Sequence, residues 1–339
     1  MTPSPSSSAA PGDVHDPHDS GDPLRDPSHR DLHDHSHRDS HDLSHDLSHD
    51  HSHGSAVGRA AARPKASAHS ARTAGPAAIA LDGVSIALGP RTILDNVSLS
   101  IDAGEFIGVL GPNGAGKTTL MRALLGLLPL TAGRMTLFGE PAASSQRMIG
   151  YMPQIRAMTQ AQRVSGRDFV ACVLDGERWG LPRIDAAGRR AIDAALDMVG
   201  ATELGRRAVG DMSGGERQRL LLAQCLVAQP RILLLDEPLI SLDPHRQQSV
   251  VDLVAEVSHR LGITTLFSAH ELNPLLGAID RVLYLGNGAA ALGAVDEVIT
   301  GPILSRLYGA PIDVIRVNGR IFVMSGGQMM EKDAHHHHA

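Results

Sequence analysis

The chain has 339 residues, of which 42% are hydrophobic and 20% charged, so it can bury a sizeable core but is too long to assume one uniform domain. Its net charge of −6 and aromatic content of 3% argue against a broad nucleic-acid surface and against stacking platforms for single-stranded bases. The chain has two cysteines, Cys172 and Cys225, which argues against a disulfide framework or a cysteine-based metal site, and their apolar neighbours predict two reduced core thiols of a cytosolic protein. No apolar run reaches about 18 residues and no secretory signal is present, so we expect a protein that is soluble or joins a membrane only through a partner.

Residues 1–75 are rich in Ser, Pro, Asp, Ala and His and have almost no large apolar side chains, so we expect a disordered tail. A crude repeat in this tail supplies candidate zinc ligands at His41, His45, His49, His51 and His53. Imidazole and carboxylate groups both bind zinc, but a solvated linker without a specific ligand fits the composition equally well. The histidines from His335 to His338 are either native or added for purification, and residues 326–339 are expected to form a flexible tail.

The sequence pattern changes near Ile79, where apolar and polar residues begin to alternate. Ile79–Leu88 and Val97–Ile101 show the alternation that is typical of half-buried antiparallel strands. The next run, Phe106–Leu110, is apolar throughout and predicts a buried strand.

A loop with the pattern G-x-x-x-x-G-K-[ST] joins this strand to a helical segment, Leu120–Leu125. Its residues are Gly111, Pro112, Asn113, Gly114, Ala115, Gly116, Lys117, Thr118 and Thr119. The glycines let successive backbone N–H groups turn toward a polyphosphate, and the helix directs the positive end of its dipole at the same ligand. Lys117 would reach the β- and γ-phosphates, and the Thr118 hydroxyl would hold Mg²⁺. The loop therefore predicts a nucleotide site.

Downstream of the loop, the sequence predicts a helical region followed by alternating strands and helices. Residues near 141–212 read mostly helical, with apolar residues at helical spacing in Ala186–Val199 and a stop at Gly200. The unbroken apolar run Ile232–Leu235 fits a parallel strand covered on both faces. The remaining predicted elements are a helix over Gln247–Leu261, a strand over Thr264–Phe267 and, within Pro311–Met324, a hairpin turning at Asn318-Gly319.

Three further features suggest phosphate chemistry. Ser213, Gly214 and Gly215 open an apolar helix and could form a second anion site, which suggests a ligand held between two copies; a simple helix cap is the alternative. Asp236 and Glu237 follow the strand Ile232–Leu235, at the sheet edge where ligands bind in α/β folds. Asp236 would order Mg²⁺ through water, and Glu237 would polarise an attacking water. His270 follows another strand at the same edge, on the expected γ-phosphate side.

Over residues 79–300, these motifs resemble those of the ATPase subunit of an ABC transporter. The matching motifs are Walker A (Gly111–Thr119), the Q-loop (Gln154), the signature (Ser213–Gly215), Walker B (Ile232–Glu237), the D-loop (Ser241–Asp243) and the switch histidine (His270). The resemblance implies an α/β fold with a P-loop NTPase core, an antiparallel β subdomain and a helical insert over about 154–212. The ATPase domain would span residues 76–300, and residues 301–325 would form an extension with the hairpin.

The resemblance also implies how the parts work together. Two copies would form a head-to-tail homodimer with two ATP molecules, each held between Walker A of one copy and the signature of the other. Thr118, Gln154 and Asp236 would hold Mg²⁺, Glu237, His270 and Lys117 would carry the catalysis, and Asp243 would lie near the nucleotide. The Gln154 region and the insert would pass the motion to membrane permease subunits, so the chain would sit peripherally on the cytoplasmic face of the membrane.

Two positions depart from the family pattern. Met212 and Glu216 stand where the signature usually has Leu and Gln, and an ionised Glu216 cannot donate a hydrogen bond. Leu88 or Ala87 replaces the aromatic residue that often stacks on adenine, so the base would rest on an aliphatic surface.

The segments Phe169–Gly176 and Leu307–Pro311 resemble those of zinc and manganese importer ATPases, and the His-rich tail suggests the same substrate class. We therefore expect import of a divalent transition metal ion, supplied by a periplasmic or extracellular binding protein, rather than of an iron–siderophore or cobalamin. A soluble ABC ATPase of DNA repair or translation usually has a long coiled-coil insert or two cassettes, which this chain lacks. A purely metal-binding module would not need intact Lys117, Asp236, Glu237 and His270.

Overall fold

The structure is a computed structural model that describes residues 77–154, 163–174, 184–240 and 242–325. The two expected tails, with their histidines, lie outside these ranges, as do Asp175, Gly176 and Ser241.

Twelve strands are found among the described residues: β1 (Ile79–Leu88), β2 (Arg91–Ile101), β3 (Phe106–Leu110), β4 (Ala132–Leu137), β5 (Glu140–Pro141), β6 (Ile149–Met152), β7 (Ile232–Leu235), β8 (Thr264–Ser268), β9 (Arg281–Gly286), β10 (Ala289–Gly293), β11 (Ile312–Val317) and β12 (Arg320–Ser325). The α-helices in the same ranges are α1 (Lys117–Leu124), α2 (Gly166–Ala171), α3 (Ala186–Met198), α4 (Gly214–Leu226), α5 (Pro244–Leu261), α6 (Val295–Val298) and α7 (Gly301–Tyr308).

The first sheet is antiparallel, in the order β2-β1-β4-β5. The predicted pairing of the first two strands is confirmed, with Leu81 opposite Leu99, although β2 begins at Arg91 rather than at Val97. Strand β4 was not predicted, because its first three residues are exposed and only Met135 and Leu137 are buried. A short, mostly exposed segment gives too weak an alternation to be recognised as a strand.

The second sheet has six strands in the order β10-β9-β3-β8-β7-β6, and it is parallel except for the β10–β9 pair. Strand β7 is buried at every position, as expected for a strand covered on both faces. Leu233 and Leu235 pack in the core shared with α4 and α5, whereas Ile232 and Leu234 pack in the core shared with α1 and the antiparallel sheet. This sheet therefore separates two apolar cores and brings the carboxyl ends of β3, β6, β7 and β8 to one edge.

The expectation of a mostly helical region over 141–212 is only partly correct. Helix α3 is confirmed: Asp185 caps its start and Gly200, with a φ of 62°, follows its end. Before it, however, lie strands β5 and β6, and β6 joins the parallel sheet beside β7. A short apolar run such as Ile149–Met152 cannot be assigned by periodicity alone, because its structure depends on the neighbouring strand.

The C-terminal hairpin is confirmed as predicted from Asn318-Gly319. Both turn residues have positive φ, 49° and 76°, as a type I′ turn requires. The side chain of Asn273, which lies in the connection between β8 and β9, forms two hydrogen bonds with the hairpin. Its Nδ2 donates to the carbonyl oxygen of Ile321 at 3.0 Å, and its Oδ1 accepts from the Ile321 N–H at 2.8 Å.

The two thiols differ in environment. Cys225 is buried, as expected, but Cys172 is exposed, so the prediction of two core thiols is wrong for Cys172. Cys172 ends the short helix α2, and its Sγ contacts the carbonyl oxygen of Asp168 at 3.2 Å.

Over the described part of the chain, no helix combines the length and hydrophobicity needed to cross a lipid bilayer.

Candidate nucleotide site

A cleft of about 760 Å³ lies where strands β3, β6, β7 and β8 end. It is lined by Leu88, Arg91, Ile93, Asn113, Gly114, Ala115, Gly116, Lys117, Thr118, Thr119, Gln154, Glu237, Ile240 and His270. The glycine-rich loop thus shares one cleft with three of the residues singled out downstream of it. The carboxyl edge of a parallel sheet is where α/β proteins bind their ligands.

The loop depends on two glycines for its close packing. At Gly111, φ is 143° and a Cβ atom would lie 2.2 Å from the carbonyl oxygen of Leu285. At Gly116, φ is 104° and a Cβ atom would lie 2.6 Å from Ile93. Neither position accepts a side chain without moving its neighbour, so these glycines fix the path of the loop. Helix α1 begins at Lys117, earlier than the predicted Leu120, and its N-terminus therefore faces the cleft directly.

Lys117 is the buried cation of the site, with only 5% of its surface exposed. Its Nζ donates to the carbonyl oxygen of Gly111 at 3.0 Å and lies 3.8 Å from Oε1 of Glu237. Burial lowers the pKa of Lys117, while the charges of Glu237 and Asp236 act in the opposite direction. The ammonium group is thus placed among backbone dipoles and carboxylates, where a phosphate could replace part of its lost hydration.

Glu237 is the point at which the site residues converge. Its Oε2 accepts a short hydrogen bond from Gln154 Nε2 and lies 2.9 Å from His270 Nε2. Its side chain is 10% exposed, whereas that of His270, which also lines the cleft, is 44% exposed. The sequence-predicted residues Lys117, Gln154, Glu237 and His270 therefore lie together around one carboxylate.

Asp236 is almost fully buried beside this group, at 1% exposure. Its N–H donates to the carbonyl oxygen of Met152 at 2.9 Å, and its Oδ1 accepts from Ser268 Oγ at 3.0 Å. Its Oδ2 is buried and has no hydrogen-bond partner among the described residues. A buried carboxylate oxygen left unpaired in this way fits a magnesium site, since Mg²⁺ and its waters are the partners such an oxygen takes up.

The signature residues lie elsewhere. Ser213 caps α4 in a reciprocal arrangement: its N–H donates to Oε2 of Glu216 at 2.7 Å, and its Oγ accepts from the Glu216 N–H at 3.3 Å. The backbone hydrogen bond from Ser213, together with the Arg207 ion pair, lowers the pKa of Glu216. In this chain the carboxylate that replaces the usual Gln therefore works as a helix cap.

Within one copy, the signature does not meet the glycine-rich loop. Ser213 and Gly215 line a separate cavity of about 260 Å³ beside the start of α5, and Gly214 lies at the same helix start. Asp243 caps α5, accepting from the Arg246 N–H at 3.1 Å, and is likewise not among the residues that line the cleft.

Four residues of the site were not singled out as functional from the sequence: Arg91, Ile93, Ile240 and Ser268. Arg91, Ile93 and Ile240 line the cleft, and Nη2 of Arg91 lies 3.5 Å from the carbonyl oxygen of Gly114. Ser268 is fully buried and contacts both acidic residues. Leu88, the expected aliphatic platform, does line the cleft and is 44% exposed, whereas Ala87 does not line it.

Known proteins are similar in sequence to this chain over about two thirds of its length. The profile of the ABC transporter family matches residues 94–240. The manganese transport system ATP-binding protein MntB of Bacillus subtilis is 31% identical over 238 residues, covering 70% of this chain and 95% of the relative.

The chain belongs to the ABC transporter ATP-binding family.

Other members of the ABC family are similarly related. The zinc import ATP-binding protein ZnuC of Paramagnetospirillum magneticum is 37% identical over 229 residues, covering 68% of this chain and 81% of the relative. The Fe(3+) ions import ATP-binding protein FbpC of Streptomyces coelicolor is 37% identical over 220 residues, covering 64% of this chain and 61% of the relative. A nucleotide-free ATP-binding cassette from an ABC transporter has the same fold, with a TM-score of 0.59 at 23% identity over 68% of this chain and 95% of that one.

As an ABC transporter ATPase, the chain binds ATP with Mg²⁺ and hydrolyses it. The predicted fold class is confirmed by the likeness to the solved cassette.

Proposed function

We propose that this chain is the ATPase subunit of an ABC importer that moves zinc or manganese through separate membrane permease subunits. The observation that carries the catalytic part is the convergence of Lys117, Gln154 and His270 on Glu237. Four groups of different chemistry meet there, each delivered by a different sheet strand or by the loop. This convergence supports a single reaction centre for phosphoryl transfer to water.

The cleft suggests a role for each wall. The backbone of Gly111–Thr119 and the N-terminus of α1 hold the phosphates, and Lys117 balances the charge of the terminal phosphates. Thr118, Gln154 and Asp236 are the residues that would hold Mg²⁺ and its waters. The ion would neutralise negative charge on the phosphates as the bond breaks.

Glu237 acts as the general base in this proposal. Its Oε2 accepts a proton of the attacking water as the water oxygen forms a bond to the γ-phosphorus. The bond between the γ-phosphorus and the ADP oxygen breaks, and its electron pair leaves on that oxygen. His270 Nε2, now in contact with Oε2, would turn to the γ-phosphate and orient it. Gln154 would position the water through the same amide that contacts Glu237.

Substitution Glu237→Gln tests the base. It removes the proton acceptor but keeps the size of the side chain, so ATP binding should persist while turnover falls by about 100-fold or more. Glu256→Gln is the matched control, since Glu256 is an exposed carboxylate on α5 outside the cleft. Hydrolysis by Glu237→Gln at the wild-type rate would show that the base is another group.

We further propose that two copies complete each ATP site, with Ser213, Gly214 and Gly215 of one copy facing the loop of the other and Asp243 near the shared boundary. The separation of the signature from the cleft within one copy supports this arrangement. The permease subunits would attach the dimer to the cytoplasmic face of the membrane.

The choice of metal rests on the relatives. MntB is named for manganese and ZnuC for zinc, while FbpC is named for Fe(3+). Deleting the gene and restoring it as wild type or as Glu237→Gln, with cellular metals measured by mass spectrometry, tests the assignment. We expect cellular zinc or manganese to fall and only the wild type to restore it. A fall in cellular iron alone would show that the transported metal is iron and not zinc or manganese.

For residues 1–75, which lie outside the described ranges, we propose zinc binding by His41, His45, His49, His51 and His53. Titration calorimetry should show fewer zinc ions bound after deletion of residues 1–75, with unchanged basal ATPase activity. An unchanged zinc stoichiometry would leave the tail as a solvated linker.

A further inference from the structure

Ser268, the last residue of β8, makes contact with both acidic residues at the end of the neighbouring strand. Its Oγ donates to Oδ1 of Asp236 at 3.0 Å and accepts from the N–H of Glu237 at 2.8 Å. In the register of β7 and β8, Leu235 lies opposite Phe267, so Ser268 stands level with Asp236. The hydroxyl group therefore uses its one proton on the carboxylate of Asp236 and one lone pair on the backbone of Glu237.

The hydroxyl group of Ser268 lies at the end of a strand that is fully buried. Strand β8 is buried at all five positions, and Leu266 and Phe267 fill the two apolar cores. A buried hydroxyl needs partners, and those of Ser268 come from outside its own strand.

The contact with Asp236 distinguishes its two carboxylate oxygens. Oδ1 is occupied by Ser268, while Oδ2 is buried without a partner among the described residues. The hydrogen bond fixes the rotation of the carboxylate, and it is this rotation that decides which oxygen is presented to an ion. Outer-shell hydrogen bonds of this kind commonly orient the groups that bind metals.

The contact with Glu237 fixes an unusual backbone. Glu237 has a φ of 52°, in the left-handed region that residues other than glycine rarely adopt. The Ser268 hydroxyl accepts its N–H in this conformation. The same group thus holds the turn that points the Glu237 side chain toward Gln154 and His270.

We propose that Ser268 is a positioning residue that presents Asp236 Oδ2 to Mg²⁺ and holds the backbone of Glu237 in its working conformation. The proposal rests on the proposed function, because it assigns Ser268 to the same ATP site. It adds that one buried hydroxyl group couples the metal-binding carboxylate to the general base.

Substitution Ser268→Ala removes both contacts. Binding of trinitrophenyl-ATP, followed by fluorescence in EDTA and then against increasing Mg²⁺, separates nucleotide binding from metal binding. We expect unchanged binding in EDTA and an apparent Mg²⁺ dissociation constant raised about 10- to 100-fold. Ser268→Thr keeps the hydroxyl group and should restore Mg²⁺ binding to near the wild-type value.

Ser258→Ala is the matched control. Ser258 is buried to the same degree, but its Oγ pairs with Oγ1 of Thr265 at 2.7 Å and contacts neither carboxylate. It should leave the Mg²⁺ dependence unchanged even if it lowers the melting temperature. If Ser268→Ala does not fold, Ser268→Cys, whose thiol is a weak donor, is compared with Ser268→Thr instead.

The outcomes separate this inference from the proposed function. Mg²⁺-dependent binding that is the same in wild type, Ser268→Ala and Ser268→Thr would overturn the role of Ser268 while leaving the ATPase assignment in place. Weakened binding in EDTA as well as in Mg²⁺ would also overturn it, because Ser268 would then support the fold of the whole site. A wild-type protein that neither binds nor hydrolyses ATP would instead remove the proposed function itself.

Discussion

At the scale of single residues, the nucleotide site is defined by polar groups in buried places. Lys117 and Asp236 are both more than nine-tenths buried, and in the proposed site ATP and Mg²⁺ would be their partners. Lys117 keeps the carbonyl oxygen of Gly111 as its hydrogen-bond partner, and Asp236 retains one oxygen without a partner among the described residues. Such groups are costly to bury unless a ligand or a close neighbour offsets the lost hydration.

The two cysteines give a residue-scale prediction about reactivity. Burial raises the pKa of the Cys225 thiol to about 12, so almost none of it is thiolate at pH 8, and thiolate is the reacting form. Cys172 is exposed. Ellman's reagent at pH 8 should therefore modify one thiol quickly in the native protein and both thiols in guanidinium. Cys172→Ser should abolish the fast phase, and a fast phase that survives this substitution would contradict the structure.

At the scale of elements, helix α4 begins with a reciprocal cap between Ser213 and Glu216. Glu216→Ala should lower the free energy of unfolding by about 1 kcal/mol, the usual cost of losing such a cap. Glu216→Gln should cost less at pH 7, because the amide oxygen still accepts and the exposed ion pair with Arg207 contributes about 1 kcal/mol or less. Urea unfolding measures both values.

The same cap predicts a pH dependence. The pKa of Glu216 is lowered in the folded protein, chiefly by the backbone hydrogen bond from Ser213. A lowered carboxyl pKa adds stability above the unfolded value of about 4.5, and this stability is lost as the pH falls through the folded pKa. The difference in unfolding free energy between wild type and Glu216→Gln should therefore shrink below pH 4.5. A difference that is constant or grows toward low pH would show that the carboxylate charge has no part in the cap.

In the hairpin of β11 and β12, strand β12 forms two hydrogen bonds with the side chain of Asn273, a residue near the switch histidine in sequence. Asn273→Ala should leave the N–H and carbonyl oxygen of Ile321 without this partner, and an orphaned polar group costs about 1–3 kcal/mol. Asn273→Asp keeps the acceptor but loses the donor, so its effect should be intermediate. Hydrogen exchange of the β12 amides measures the loosening. Equal protection in all three proteins would mean that the remaining contacts, among them the hydrogen bonds of Ile312 with Ser305 and of Arg316 with Ile299, hold the hairpin without Asn273.

At the scale of the whole molecule, local patterns in the sequence were enough to predict the loop, strand β7 and the hairpin turn. The glycine-rich loop needs backbone freedom at fixed positions, and Asn318-Gly319 favours one turn type, so each can be recognised from a short sequence pattern. Strand β6 and the role of Ser268 have no such short pattern. Their roles depend on which strands become neighbours in the sheet, and that neighbourhood is set by residues far away in the chain.

The proposed arrangement of two copies around ATP was already suggested by the signature residues Ser213–Gly215, and one measurement tests it most directly. Sedimentation velocity of Glu237→Gln with saturating ATP and Mg²⁺ should show a dimer, because ATP binds and is not consumed. Glu237→Gln combined with Ser213→Arg should bind ATP equally well but remain a monomer, since the bulky side chain blocks the surface that meets the other copy's loop. A dimer that survives Ser213→Arg, or a Glu237→Gln protein that stays monomeric when saturated with ATP, would contradict an ATP site shared between two copies.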